Sequence, residues 1–372
     1  MRRVNVDLRN VNIQEFGISV YTNELVLRLM DCDDIELRGT AFRRKLLQPL
    51  NPEDYRRFRF PIHFSRVPAW MMFRLLPFRR FLPDYNFWAG DNESDVFLFF
   101  WFQAPLLPVK GKIVTCVHDI IPLRGASGDA RYLKRATENA IEKSTRIITV
   151  SEFSKRDIMD YFHIDGKQID VVHSAVNAEE FSTPCPNPES IRTKYNLPEK
   201  YILYFGTCSP RKNVESVIRA YVRLPEAIRR EYALVITNPE KATKACAIEN
   251  NVTPHYIERV RAEDKAAVYQ MASVLVWPSL YEGFGLPVIE AQAAGTPVVC
   301  SNVTSLPEVA GDAAVLVEPK DTEAIAAAIE SCLYDAPFRQ DLIAKGHENI
   351  NRFTWDDAAK RFRDVLLSLE EG

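Results

Sequence analysis

Hydrophobic positions along the chain follow two alternating periods. Val4, Val6 and Leu8 take every second place, which predicts a strand over 3–8. From Gly17 onward, Ile18, Tyr21, Leu25 and Leu29 recur at three- and four-residue steps, which predicts a helix. Short apolar runs predict further strands at 96–101, 113–118 and 146–150. Their near-continuous character, as in Ile147-Ile148-Thr149-Val150, is that of parallel strands covered on both faces. Helices are predicted over 131–142 and 151–161, the second with Ser151 as its N-cap.

The alternation starts afresh at Tyr201, with strands expected at 201–205, 233–236, 274–277, 297–300 and 315–317. Helices are expected from Asn213, near 263–271, from about Pro287, and from about Asp321, Pro337 and Thr354. Between the two arrays, residues 183–198 carry four prolines, which reads as a linker. Two βα arrays without a sequence repeat predict an α/β fold of two doubly wound domains, 1–175 and 176–354. Ligands of such sheets lie beyond the carboxyl ends of the strands, and the cleft between two domains is the default site.

Length and composition agree with this division. A chain of 372 residues exceeds one ordinary core, and 47% hydrophobic with 26% charged residues is a globular composition. The longest apolar run, 96–102, has seven residues, far short of the roughly 20 of a spanning helix. No apolar leader follows Arg2 and Arg3, and the seven cysteines form no C-x-x-C, so a reducing, cytoplasmic setting is expected. The net charge of −3 conceals an asymmetry. Residues 1–170 hold 26 Lys and Arg against 22 Asp and Glu, whereas 171–372 hold 21 against 28. The first half is therefore the one expected to meet an anionic surface.

Three segments carry candidate chemistry. The first is Ser279-Leu280-Tyr281-Glu282-Gly283-Phe284-Gly285-Leu286-Pro287-Val288-Ile289-Glu290, between a predicted strand and a helix. Gly283 and Gly285 permit close backbone approach to a ligand. Pro287 suits a first helical turn, so the preceding amides can face hydroxyl or phosphate oxygens. Glu282 and Glu290, the latter expected in the first helical turn, bracket the loop, and a carboxylate can accept from two vicinal sugar hydroxyls. The second segment, Gly206-Thr207-Cys208-Ser209-Pro210-Arg211-Lys212-Asn213, places two cations after a glycine turn, a pattern suited to a diphosphate without a metal; a solvated basic turn is the alternative. The third is His118, at the end of an apolar strand, either a catalytic-site group or a structural histidine. Gly17 is likewise a phosphate approach point or a turn glycine.

No Walker A motif, G-x-G-x-x-G or metal-ligand spacing is present, and Asp31-Cys32-Asp33 reads as a solvated acidic loop. Residues 55–83 combine seven arginines and no acid with many aromatics. This mixture is equally consistent with peripheral contact to an anionic membrane and with an irregular helical excursion that packs its aromatics inward. No recognisable nucleic-acid module accompanies it.

Taken together, these motifs resemble glycosyltransferase family 4. The resemblance runs through most of the chain and is densest from 201 to 319. The family's E-x7-E element corresponds to Glu282 and Glu290, its basic pair to Arg211 and Lys212, and its active-site histidine to His118. The segment from Ser301 to Ala314 is similar to a mannosyltransferase-like branch that builds bacterial surface polysaccharides. Two departures stand out: residues 12–18 keep one glycine where the family often has a cluster, and Thr237 follows Val235-Ile236 where a glycine is usual.

The resemblance implies the GT-B architecture, two Rossmann-like domains facing a cleft, with a final helix at about 355–372 returning to the first domain. It implies a retaining hexosyltransferase, metal-independent and without a cofactor, with GDP-mannose as the favoured donor and a glycan or lipid-linked acceptor. Glu290 would bind ribose hydroxyls and the backbone at Val260 would border the base. Arg211 and Lys212 would stabilise the departing diphosphate, with help from Gly206, Gly17 and the loop Gly283, Phe284, Gly285 and Leu286. Glu282 would orient the hexose, and His118 would position it rather than act as a simple base. A UDP-hexose or dTDP-rhamnose donor, a sugar-nucleotide epimerase and a non-catalytic nucleotide-sugar-binding subunit are the alternatives.

Overall fold

Thirteen strands build two all-parallel sheets in the computed structural model, which describes residues 1–9, 11, 17–43, 50–68, 83–101, 107–124 and 130–369. The first sheet takes β1 (Arg2–Asp7), β2 (Ile35–Arg43), β3 (Ile62–Pro68), β4 (Val96–Phe99), β5 (Lys112–Cys116), β6 (Arg146–Thr149) and β7 (Ile169–Val171), in the order β3-β2-β1-β4-β5-β6-β7. The second takes β8 (Tyr201–Tyr204), β9 (Ala233–Thr237), β10 (His255–Ile257), β11 (Val274–Trp277), β12 (Val298–Ser301) and β13 (Val315–Val317), in the order β10-β9-β8-β11-β12-β13. Each order reverses once, between β1 and β4 and between β8 and β11.

The chain divides into two units, Met1–His173 with Trp355–Gly372, and Ser174–Thr354. The division falls two residues before the expected boundary. In the first unit the central strands are buried apart from the start of β1, with Val4, Val6, Phe97 and Leu98 fully enclosed. Each such side chain contributes about 1.5–3 kcal/mol of burial. The closing helix Trp355–Ser368 packs on the helix Gly17–Leu29. Trp355 meets Tyr21 edge to face at 6.0 Å, Phe362 stacks on Phe100, and Arg28 pairs with Asp356 at 2.7 Å. Ser151 caps the helix Glu152–Phe162 by accepting from the Ser154 amide.

In three places the structure departs from the reading of the pattern. Residues 183–198 are no bare linker. They hold the helix Pro188–Tyr195, opened by Asn187 and a first-turn proline, inside the second unit. The helix is tied down because Lys194 and the Tyr195 hydroxyl both meet the Asp264 carboxylate, each at 2.5 Å. Within 55–83, residues 62–68 form strand β3, not a helical excursion. The strand pairs in parallel with β2, a partner that no local pattern could reveal. Residues 56–61 are irregular after the turn Pro52–Tyr55, with Tyr55 and Phe58 buried, and 69–82 lie outside the described residues. Glu290 is the fifth residue of the helix Leu286–Ala293 and so lies just past its first turn.

Candidate active site

The reversal of strand order in the second unit locates the site. At such a point the loops leaving neighbouring strands diverge to opposite faces and leave a crevice at their carboxyl ends. The two strands are β8 and β11, adjacent and parallel. The turn from Gly206 to Asn213 follows β8, and the loop from Ser279 to Gly285 follows β11. The two motifs with the densest chemistry, some seventy residues apart in sequence, thus border one crevice.

Backbone hydrogen bonds staple them together. The carbonyl of Arg211 accepts from the Leu280 amide at 2.9 Å and from the Ser279 hydroxyl at 3.2 Å. Asn213, held at φ +56°, donates to the carbonyls of Pro278 and Pro319 at 2.9 and 2.7 Å. Gly206 stands at φ +151°, and a Cβ there would lie 2.7 Å from the Trp277 ring. The position demands glycine for conformation and for space. Its amide donates to Thr237 Oγ1 at 2.8 Å, so the threonine that replaces a usual glycine supports the cation turn.

Arg211 and Lys212 converge on one carboxylate. Lys212 Nζ lies 2.6 Å from Glu282 Oε1, and Arg211 donates to Glu282 Oε2 at 3.1 Å and to the Tyr281 carbonyl. Glu282 is 6% exposed. Burial alone would raise its pKa, but Lys212 and Arg211 outweigh burial and hold it below the ordinary value. The Lys212 ammonium also sits 4.7 Å from the centroid of the Trp277 ring, which stacks in turn on Tyr204. An indole face attracts a cation and shields it from water. The loop that carries Glu282 is fixed from below, since the Ser305 hydroxyl is shared between the carbonyls of Glu282 and Phe284 at 2.9 and 2.8 Å. Gly285, at φ +112°, has Leu306 where a Cβ would stand, so its need for glycine arises inside the unit. Gly283 and Phe284 are buried, and Leu286 begins the helix.

Glu290 forms a second carboxylate centre. It is 7% exposed, is paired with Lys265, and accepts from the Tyr269 hydroxyl at 3.0 Å. Phe181 and Phe205 flank the Lys265 ammonium. Val260, half-buried, lies in the loop after β10. Lys265, Tyr269 and Trp277 are the residues that motif reading missed. Only the helical spacing of Lys265 and Tyr269 could have hinted that the two act together.

In the first unit, Gly17 is exposed and opens its helix, and Tyr21 one turn later meets the His118 ring at 4.9 Å. His118 Nε2 lies 3.2 Å from the Phe100 carbonyl. A carbonyl only accepts, so Nε2 carries the proton and Nδ1 is the acceptor of the neutral ring. Burial pushes the imidazole down to about 4, against a weaker upward pull from that carbonyl. At neutral pH it is uncharged. Among the described residues no group of three His, Cys, Asp or Glu could hold a metal ion, and no helix is long and apolar enough to cross a membrane.

Two Rossmann-like units of parallel strands, one of them carrying paired cations and two buried carboxylates beyond its strand ends, define a GT-B glycosyltransferase. Comparison with known proteins agrees. Residues 17–180 match the model of Glycosyltransferase Family 4, and 188–349 match that of Glycosyl transferases group 1. The O-antigen chain mannosyltransferase B of Escherichia coli is 32% identical over 92% of this chain and 93% of its own length. The O-antigen chain mannosyltransferase RfbU of Salmonella typhimurium is 26% identical over 68% of each. Among solved structures, Anabaena HepE in complex with UDP and glucose superposes with a TM-score of 0.76 at 13% identity, covering 99% of this chain and 100% of that one. The chain belongs to glycosyltransferase family 4.

Proposed function

We propose that the protein is a retaining, metal-independent mannosyltransferase that transfers mannose from GDP-mannose to a hydroxyl of a glycan or lipid-linked glycan in surface-polysaccharide assembly. The observation that carries the reading is the convergence of Arg211 and Lys212 on Glu282 at the carboxyl ends of β8 and β11. The names of the relatives, both O-antigen chain mannosyltransferases, support mannose and the polysaccharide.

Glycosyl transfer breaks the bond between the anomeric carbon and the phosphate oxygen. Negative charge grows on the departing diphosphate and positive charge on the sugar. Fixed cations at the diphosphate stabilise the transition state more than the ground state. Arg211 and Lys212 supply that charge and do the work that a metal ion would otherwise do. Both oxygens of Glu282 engage cations, which suits an electrostatic and orienting role better than that of a nucleophile. Retention then follows from attack on the face the phosphate leaves, with the acceptor's proton passing to the departing phosphate oxygen.

His118, neutral and with Nδ1 as acceptor, is assigned to the hexose; it is too weak a base at about pKa 4 to deprotonate the acceptor. Glu290, oriented by Lys265 and Tyr269, is assigned to the ribose hydroxyls. The roles of Gly17 beside the diphosphate and Val260 beside the base rest on family resemblance. Contact of 55–83 with anionic lipid headgroups on the cytoplasmic face is a proposal from composition alone, since Tyr55 and Phe58 are buried and Arg57 and Arg59 are engaged within the protein.

A thermal-shift panel of GDP-mannose, UDP-glucose, UDP-N-acetylglucosamine and dTDP-rhamnose tests the donor, since a bound ligand stabilises by mass action. GDP-mannose is expected to raise the melting temperature most. A shift confined to the UDP or dTDP sugars would overturn the assignment, and conversion of the donor without any acceptor would favour an epimerase.

A further inference from the structure

Glu282 has a second task that its place among sugar-binding groups does not explain. Its carboxylate stands against both cations that the proposed mechanism gives to the diphosphate, at 2.6 Å from Lys212 and 3.1 Å from Arg211. We propose that Glu282 is an internal counter-anion that competes with the diphosphate for Arg211 and Lys212, and thereby favours the hexose-bearing donor over the nucleoside diphosphate left after transfer. This inference rests on the reading of the crevice as a donor diphosphate site.

The physical argument concerns what each ligand does for a buried carboxylate. Glu282 is almost wholly enclosed, and such a charge is costly unless paired or well hydrogen-bonded. A ligand phosphate that draws Arg211 and Lys212 toward itself weakens both pairs at once. A nucleotide sugar compensates, because its hexose hydroxyls can donate to the carboxylate while its phosphates accept from the cations. A nucleoside diphosphate brings the phosphates alone and leaves Glu282 with the Ser279 hydroxyl but no compensating charge or sugar donor.

The competition has a direction in the reaction cycle. Before transfer, hexose and diphosphate together satisfy all three side chains. Once the sugar has moved to the acceptor, Glu282 loses its hydroxyl partners and recovers its cations, which loosens the nucleoside diphosphate. The architecture is suited to such exchange. The backbones of the two loops are tied to each other through Arg211 and Leu280, and the carbonyls of Glu282 and Phe284 are held by Ser305. Side chains can therefore trade partners while the main chain stays in place. Trp277 beneath Lys212 keeps the ammonium close to both anions.

The test compares affinities by calorimetry, using GDP, UDP and dTDP and the matching nucleotide sugar of whichever one the wild type binds. Glu282→Gln is expected to bind the nucleoside diphosphate at least tenfold more tightly than the wild type, about 1.4 kcal/mol. Its affinity for the nucleotide sugar should stay level or fall, so the preference for donor over product narrows or reverses. Glu282→Asp, which keeps the charge but shortens its reach, should lie between the two and serves if the glutamine variant does not fold. A structural role alone would not tighten any ligand. Lys212→Met separates the two levels of the argument. If it weakens nucleoside diphosphate binding tenfold while neither Glu282 variant tightens it, the counter-anion is refuted and the diphosphate site stands. If it changes nothing, or if the wild type binds none of the three nucleotides, the site reading fails and takes this inference with it.

Discussion

Replacing Lys212 by methionine keeps the length of the side chain and removes its charge. The ammonium makes an ion pair of 2.6 Å with Glu282 and lies 4.7 Å from the Trp277 ring centroid, with its side chain 14% exposed. Loss of one preorganised charge-stabilising donor typically costs 10²–10³ in turnover, or about 2.7–4 kcal/mol of barrier. Stability also falls. A broken buried pair costs about 3–5 kcal/mol when the surviving charge has no partner, but Arg211 still holds Glu282 Oε2, so about 2 kcal/mol is expected here. The two effects separate in one experiment. Initial rates against donor concentration at saturating acceptor give kcat and KM, and a thermal melt of the same sample gives the folded fraction. The expected result is a fall in kcat of at least a hundredfold with KM rising about tenfold, in protein that melts as one cooperative unit. A folded variant with kcat within threefold of wild type would refute the assignment of Lys212 to the leaving group.

Three further outcomes follow from the geometry. Gly206→Ala, at φ +151° with the Trp277 ring in the place of its Cβ, should destabilise the protein by about 1–3 kcal/mol and raise donor KM; an unchanged melting temperature would contradict the packing. Tyr269→Phe removes a 3.0 Å hydrogen bond to a buried carboxylate, and should cost about 1–2 kcal/mol and weaken donor binding with little change in kcat; unaltered stability and KM together would rule out that support of Glu290. His118 has a folded pKa of about 4, below its ordinary value of 6.5, so its neutral form stabilises the fold above 6.5. That contribution is lost as pH falls from 6.5 toward 4. Denaturant unfolding at pH 5 and 7 should show a smaller loss for His118→Gln than for wild type, and equal losses would contradict the burial of the ring.

Much of this protein was legible along the chain. The period-two and period-3.6 patterns located most central strands, because a strand or helix buried on a known face must repeat its apolar residues locally. Four strands escaped this reading, β7 and β10 with three residues each and the longer β2 and β3, whereas the equally short β13 was found. The helix Pro188–Tyr195 escaped because Pro188 serves as a helix opener rather than a breaker, and a tie to the distant Asp264 holds the helix in place.

The sequence by itself determined the residue types of the site: two adjacent cations after a glycine turn, and two glutamates separated by seven residues, one before and one within a helix. Tertiary structure alone decided that the cations and Glu282 meet, that Lys265 and Tyr269 hold Glu290, and that Trp277 lies under Lys212. The reason is physical. Periodicity and turn chemistry act over a few residues, whereas pairing of charges across seventy residues depends on which parallel strands become neighbours. That neighbourhood is set by the order in which strands join the sheet, which no local pattern encodes.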